Sequence, residues 1–276
     1  MSTSKTWFIT GTSRGFGREW TIAALERGDR VAATARDPKT LADLVTKYGD
    51  RILPIALDVT DHDASFAAVK QAHEAFGRLD VVVNNAGYGL FGMIEEVSEK
   101  EARAQIETNV FGALWVTQAA LPFLRAQKSG HILQVSSIGG ITAFPGLGLY
   151  HASKWALEGF SQALAGEVAG SGIHVTLIEP GGYDTDWSGD SATRATPLAA
   201  YEPVREKMQE LRRTMIGKRG DPTATAKAIF AVVDAKEPPL RLFLGEAPLG
   251  LAKADYEKRL ATWEAWNTVS REAQGG

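Results

Sequence analysis

The sequence predicts a doubly wound α/β fold, with about seven parallel strands in one sheet and helices on both of its faces. Three observations predict it. Short apolar segments alternate with helix-like segments through most of the 276 residues. The runs VVV (81–83) and VTLI (175–178) hold their apolar character at successive positions, as strands covered on both faces require. The first strand-like segment ends in a glycine-rich turn that leads directly into a helix-like one.

Taken in order, TWFIT (6–10) reads as a strand from its aromatic and β-branched residues, and the turn at 10–17 enters a helix over about 16–28. RVAATA (30–35), RILPIAL (51–57), LDVVVN (79–84), HILQVS (131–136) and HVTLIE (174–179) are the next five strands, and LRLFLG (240–245) is a seventh. Helical periodicity fills the intervals at roughly 38–48, 61–76, 98–126, 148–170 and 221–235. No internal repeat, low-complexity tract or Pro/Gly/Ser linker divides the chain, so residues 1–276 read as a single domain. Two segments break the alternation, an insertion at 183–216 and a C-terminal extension at 246–276. In the extension, Leu249, Tyr256, Leu260, Trp263 and Trp266 recur at broadly helical spacing and are expected to pack on their own domain or on a subunit partner.

Composition narrows the function classes. A net charge of -3 argues against nucleic acid or an anionic membrane as a partner. Cysteine is absent, which removes disulfide scaffolding, thiolate metal sites and cysteine nucleophiles. The five histidines, His62, His73, His131, His151 and His174, form no metal-ligand spacing, so no metal is expected. The N-terminus shows no basic-then-apolar leader, and no apolar run reaches the ~18–20 residues that span a bilayer. A cytoplasmic protein is the expectation.

The chemistry concentrates in Tyr150-His151-Ala152-Ser153-Lys154, at the start of a helix. Positions i and i+4 share a helix face, so the Tyr150 hydroxyl and the Lys154 ammonium can enter one pocket. A nearby cation favours the phenolate and lowers the tyrosine pKa from its ordinary value near ~10, giving a general acid/base suited to carbonyl–alcohol chemistry. Ahead of it, Thr10-Gly11-Thr12-Ser13-Arg14-Gly15-Phe16-Gly17 joins strand to helix. Its glycines permit a tight turn and close backbone approach, and the helix start offers N–H groups to a pyrophosphate. The second strand ends without a carboxylate, and Arg36 follows it. Arg36, with Arg14 as a second cation, suits a 2′-phosphate, which points to NADP(H). Asp37 could hydrogen-bond a ribose, so NAD(H) stays open.

In these motifs the chain resembles the short-chain dehydrogenase/reductase family, in its common single-domain, Rossmann-type branch. The TGxxxGxG turn at 10–17, Asp58-Val59 after the third strand, Asn84-Asn85-Ala86-Gly87, Asn109, Ser137, the YxxxK pair and Pro180-Gly181 with Thr185 match in order along nearly the whole chain. Tyr183 departs from the aliphatic residue many members carry there. GGYDTDW and KWALEGFSQAL resemble the bacterial 17-beta-hydroxysteroid-dehydrogenase-like oxidoreductases. The resemblance implies a catalytic set of Asn109, Ser137, Tyr150 and Lys154. It implies cofactor contacts from Gly11, Ser13, Arg14, Gly15, Phe16, Gly17, Arg36, Asp58, Val59, Asn85, Ala86, Gly87, Pro180, Gly181 and Thr185, together with Tyr150 and Lys154. Ser137 is preferred to Ser136 on its spacing from Tyr150 and because alternation turns its neighbour to the other face. Substrate walls are expected from Ser137, Ile138, Phe144, Tyr150, Tyr183 and Trp187, which favours an apolar ketone or aldehyde and its alcohol. A dimer or tetramer is what the resemblance suggests. Rival readings are a 3-oxoacyl-thioester reductase, which calls for a basic patch the sequence lacks, and a non-catalytic NADP-sensing module, which would lack the intact Ser/Tyr/Lys set.

Overall fold

The computed structural model describes residues 4–189, 191–215 and 219–275. Asp190 and Ile216, both in the insertion, lie outside the described residues. Strands and helices follow one another as β1 (Thr6–Ile9), α1 (Gly15–Glu26), β2 (Arg30–Ala35), α2 (Ala42–Tyr48), β3 (Ile52–Ala56), α3 (His62–Phe76), β4 (Val81–Asn84), β5 (Leu90–Phe91), α4 (Glu99–Ile106), α5 (Gly112–Gln127), β6 (Gly130–Val135), α6 (Gly148–Glu167), β7 (Ile173–Pro180), β8 (Thr193–Arg194), α7 (Glu202–Met215), α8 (Ala226–Asp234), β9 (Arg241–Leu244), α9 (Ala247–Ala265) and α10 (Asn267–Glu272).

Seven strands form one parallel sheet in the order β3-β2-β1-β4-β6-β7-β9. The order runs outward from β1 in one direction and from β4 in the other. The crevice of such a fold therefore opens at the carboxyl ends of β1 and β4. Successive residues of a strand feed opposite cores. Trp7 and Ile9 pack with Trp20 and Leu25 of α1 and Ile229 of α8, while Phe8 packs with Val69 of α3 and Val116, Ala120 and Leu124 of α5. This is why the strands are apolar at successive positions: neither face meets water.

Helix boundaries follow local chemistry. Asp61 caps α3 by accepting from the Ala64 N–H at 2.9 Å, and α4 carries a Ser98/Glu101 capping box. The helix expected over 98–126 is interrupted, because residues Glu107–Phe111 between α4 and α5 are π-helical. The insertion is more ordered than a loop. It contains β8, which pairs with β5, and α7, whose charged residues from Glu206 to Lys207 are exposed.

The C-terminal extension differs from one of its two expected packings. α9 docks through Pro248 and Ala252, but Leu249, Trp263 and Trp266 are 52%, 59% and 64% exposed. The apolar stripe therefore does not pack on its own domain, because the helix meets the body through another face, which carries Pro248, Ala252 and Arg259. Among the described residues no helix is long and apolar enough to cross a membrane.

Candidate active site

At the carboxyl ends of β1 and β4, Thr10 joins the glycine turn to the Asn84–Gly87 segment. Its hydroxyl accepts from the backbone N–H groups of Asn85 (3.0 Å) and Ala86 (2.9 Å). Asn85 returns the tie through Nδ2, donating to the carbonyls of Thr10 (2.8 Å) and Gly11 (3.0 Å). The Asn85 amide, expected against a cofactor, thus serves the shape of the turn.

Two positions of the turn call for glycine, one by its backbone conformation and one by lack of room. Gly15 adopts φ +58°, and a Cβ on Gly17 would stand 2.5 Å from the Gly11 carbonyl oxygen. Unlike α3 and α4, α1 starts with no side-chain cap and no acidic residue in its first turn. Free N–H groups at the positive end of a helix dipole, reached through a bare glycine turn, fit the pyrophosphate of a dinucleotide.

Arg36 is exposed and makes no ion pair or hydrogen bond among the described residues. Arg14 does not join it. Its guanidinium lies 2.7 Å from the Asp186 carboxylate, on the loop after β7. A half-exposed ion pair at the mouth of the turn wins Arg14 in this structure, although such pairs contribute only about 0–1 kcal/mol. Asp37 accepts from the Lys39 N–H at 3.0 Å and so starts the turn at 38–41. Asp58 is exposed, with Oδ1 held by Thr60, and Val59 is buried beneath it against Gly112. Thr185 closes over the same turn, 3.9 Å from where a Gly15 Cβ would stand, while the Gly181 N–H donates to Leu244 at 2.9 Å.

Beside this cradle, α6 presents Tyr150 and Lys154, both buried. Ser137 is close enough to the Tyr150 hydroxyl to favour the phenolate. The Lys154 ammonium donates to the Val135 carbonyl at 2.7 Å and lies 5.8 Å from the Tyr150 ring centre. Asn109, in the π-helical stretch, donates to the Tyr88 carbonyl (3.1 Å) and the Ser153 hydroxyl (3.0 Å) and accepts from the Tyr88 N–H (3.1 Å). A Cβ on Gly87 would meet Asn109 Oδ1 at 3.0 Å and Lys154 Nζ at 3.8 Å, so both side chains border one point. A π-bulge at such a position is a recurrent mark of functional sites. Ser136 turns away from Tyr150, and its hydroxyl sits behind Gly140 with Glu158.

Burial pushes the Tyr150 phenol up to about 12, with Ser137 working in the other direction. Burial also pulls the Lys154 ammonium down to about 8, opposed by Glu158. In this structure the tyrosine is therefore raised, not depressed as its spacing from Lys154 suggests. Loss of water outweighs a cation that is held on a backbone carbonyl, and Tyr150 is a neutral proton donor at neutral pH.

Trp187 covers the tyrosine, its ring centre 5.0 Å from that of Tyr150 and 5.2 Å from that of Phe91. Phe144 stands edge-on to His151 at 5.5 Å and lines an open groove of about 360 Å³ with Met93, Ile94, Tyr201 and Val204. Two other expected substrate walls pack on neighbouring elements, Tyr183 half-buried and Ile138 buried. Tyr183 packs on Phe16 at 5.2 Å and against Gly220, where a Cβ would come within 2.5 Å of its ring. Ile138 packs with Ile141, Ala252, Phe243 and Leu251 beneath α9. In both cases much of the apolar area is taken up by contacts within the fold, completely so for Ile138. Among the described residues, no group of three or more His, Cys, Asp or Glu side chains is placed to hold a metal.

The sequence model for short chain dehydrogenases matches residues 5–195. The chain belongs to that family. The oxidoreductase BOA17 of Botryotinia fuckeliana (strain B05.10) is 46% identical over 269 residues, covering 97% of this chain and 98% of the relative. A short-chain dehydrogenase from Streptomyces avermitilis superposes with a TM-score of 0.91 at 38% identity, over 99% of this chain and 100% of that one. An alcohol dehydrogenase from the archaeon Thermococcus sibiricus, solved with 5-hydroxy-NADP, gives a TM-score of 0.72 at 28% identity over 87% and 96% of the two chains. The seven-stranded parallel sheet is the Rossmann-type fold of these relatives.

Within this short-chain dehydrogenase, three residues of the quoted motifs have supporting roles that motif reading did not assign. They are Thr10, Ser153, whose hydroxyl links Asn109 to the Tyr150 carbonyl, and Asn84, which donates to Ala113 (3.2 Å), Thr117 (2.9 Å) and Gln134 (3.0 Å). The available signal was polarity out of place: Asn84, Thr117 and Gln134 interrupt otherwise apolar faces, and a buried polar group needs a partner.

Proposed function

We propose that this oxidoreductase uses NADP(H) to interconvert a ketone or aldehyde and its alcohol, on an apolar substrate. The observation that carries the reading is the convergence of Tyr150, Ser137, Lys154 and Asn109 beside an uncapped glycine turn. Gly11, Ser13, Gly15 and Gly17 would hold the pyrophosphate, Asp58 the adenine, Arg36 the 2′-phosphate and Lys154 the nicotinamide ribose. The cofactor, when bound, supplies or receives the hydride. Ser137 holds the carbonyl oxygen and Tyr150 gives it a proton, a step suited to a phenol that is neutral at pH 7. Asn109 keeps α4 and α5 shaped around Lys154, from which the proton is replaced. The 5-hydroxy-NADP of the Thermococcus neighbour supports a nicotinamide cofactor, whereas the preference for the phosphate rests on Arg36. Trp187 and Phe144 support an apolar substrate.

A panel of ketones, aldehydes and secondary alcohols followed by NADPH absorbance tests the reading. We expect turnover with apolar carbonyls, and no turnover with any member would end it. NADPH should bind about 10–100-fold more tightly than NADH, the value of a charge-assisted hydrogen bond, and Arg36→Ala should bring the two together. Equal binding by the unmodified protein would remove the NADP preference.

A further inference from the structure

Four buried polar atoms at one place have no hydrogen-bond partner among the described residues: Ser136 Oγ, Glu158 Oε1 and both carboxyl oxygens of Glu179. Glu179 stands near the end of β7, fully buried, on the same strand face as Leu177, which packs with Leu157 of α6. Glu158 is buried in α6, one turn beyond Lys154. Ser136 Oγ and Glu158 Oε1 lie 2.6 and 3.1 Å from the point where a Gly140 Cβ would stand. Arg241 of β9 donates Nε to Glu158 Oε2 at 2.9 Å and comes within 3.4 Å of Glu179 Oε1, while its Nη2 bonds Gln162 at 2.8 Å.

Other charges near the cluster are engaged elsewhere. Lys154 is on the Val135 carbonyl, and His151 has Nδ1 3.0 Å from the Gly139 carbonyl. α9 brings Arg259, which pairs with Asp255 at 2.6 Å and donates to the Ile141 carbonyl at 3.2 Å. His131 of β6 bonds Thr176 at 2.9 Å, at the opposite end of the strand. Two neighbouring buried carboxylates, with one guanidinium bonded to only one of them, form an arrangement that burial penalises. One proton on Glu179 relieves it. A protonated carboxyl there can donate to the neighbouring Glu158, which would satisfy orphaned atoms on both side chains and leave a single negative charge on the pair. Burial and the nearby Glu158 both push Glu179 upward from the ordinary carboxylate range, as such a proton requires.

We propose that Glu158 and Glu179 share one proton, and that the single negative charge they keep makes Glu158 a positioning residue holding the Lys154 ammonium charged. The second half rests on the reading that Lys154 serves Tyr150.

The proton is tested by the Tm of the unmodified protein and of Glu179→Gln between pH 5 and pH 8. Glutamine still donates toward Glu158 and has no proton to lose. A carboxyl whose folded-state pKa is raised binds a proton that the unfolded chain has already released, so stability falls as pH rises above the ordinary carboxylate range. The Tm of E179Q relative to the unmodified protein should therefore climb by roughly 5 °C from pH 5 to pH 8. His131 and His151, both pulled down by burial, contribute equally to the two proteins and cancel. A difference that stays constant with pH overturns the shared proton. The positioning role is read from the pH profile of kcat/KM for NADPH-dependent carbonyl reduction. Glu158→Gln should move the alkaline fall down by about one pH unit, and Glu158→Asp should restore it. Arg241→Met, which removes a cation, should move the same limb upward, and it remains readable where E158Q does not fold. An alkaline limb that none of these moves overturns the positioning role. Absence of carbonyl reduction in the unmodified protein fails the functional reading and with it the role of Glu158 toward Lys154, while the Tm comparison still decides the proton.

Discussion

Tyr150→Phe should lower carbonyl reduction by about 10²–10⁴-fold, the usual contribution of a positioned general acid. The substitution removes one hydroxyl and keeps the ring. Its contact with Trp187, 5.0 Å between centres, and the Lys154 ammonium 5.8 Å from the ring both survive, so the pocket keeps its shape. What is lost is the proton donor. Ser137 still accepts from the Gly139 N–H at 3.0 Å, which holds the turn at 138–140 in place. NADPH affinity, measured by fluorescence titration, should be essentially unchanged, because the fall belongs to turnover. A variant that keeps more than about a tenth of the rate would show that the phenol is not the acid.

The parts of this molecule that were legible in the sequence are those fixed by local pattern. Strands buried on both faces need apolar residues at every position, so Val81 to Val83 and Val175 to Ile178 announced themselves, as did the glycine turn. Where an apolar side chain goes depends on elements far away in sequence. The aromatic content of the 183–216 insertion marks Tyr183 as a substrate wall, but Phe16 and Gly220 complete a packing site around it. Ile138 is covered by a helix more than a hundred residues later. Arg14 shows the same limit for charge, since only the folded loop brings Asp186 within 2.7 Å. Burial, which no spacing of Tyr150 and Lys154 encodes, sets the direction of the tyrosine's shift. Glu158 and Glu179 are twenty-one residues apart, and only the packing of α6 on β7 makes them neighbours.

Gly17→Ala should weaken NADPH binding by about 100-fold, the scale set by misplacing a bound group by ~1 Å. The added Cβ would stand 2.5 Å from both the Gly11 carbonyl oxygen and Asn85 Nδ2. One of these is backbone and cannot rotate away. The other is the amide that ties β4 to the turn through the Thr10 and Gly11 carbonyls, so moving it releases both bonds. Either adjustment displaces the start of α1, whose uncapped N–H groups are the anion site. Overpacking of this kind costs about 1–3 kcal/mol, so Tm should fall by several degrees as well. Gly159→Ala separates the close contact from the general effect of replacing a helical glycine. It lies inside α6 with nothing within 4 Å of its Cβ position. There alanine should raise stability by about 0.5–1 kcal/mol, since a helical glycine loses the most backbone freedom on folding, and cofactor affinity should not change. If G17A bound NADPH as tightly as the unmodified protein, the glycine turn would not be where the pyrophosphate lies, and the placement of the cofactor beside Tyr150 would fall with it.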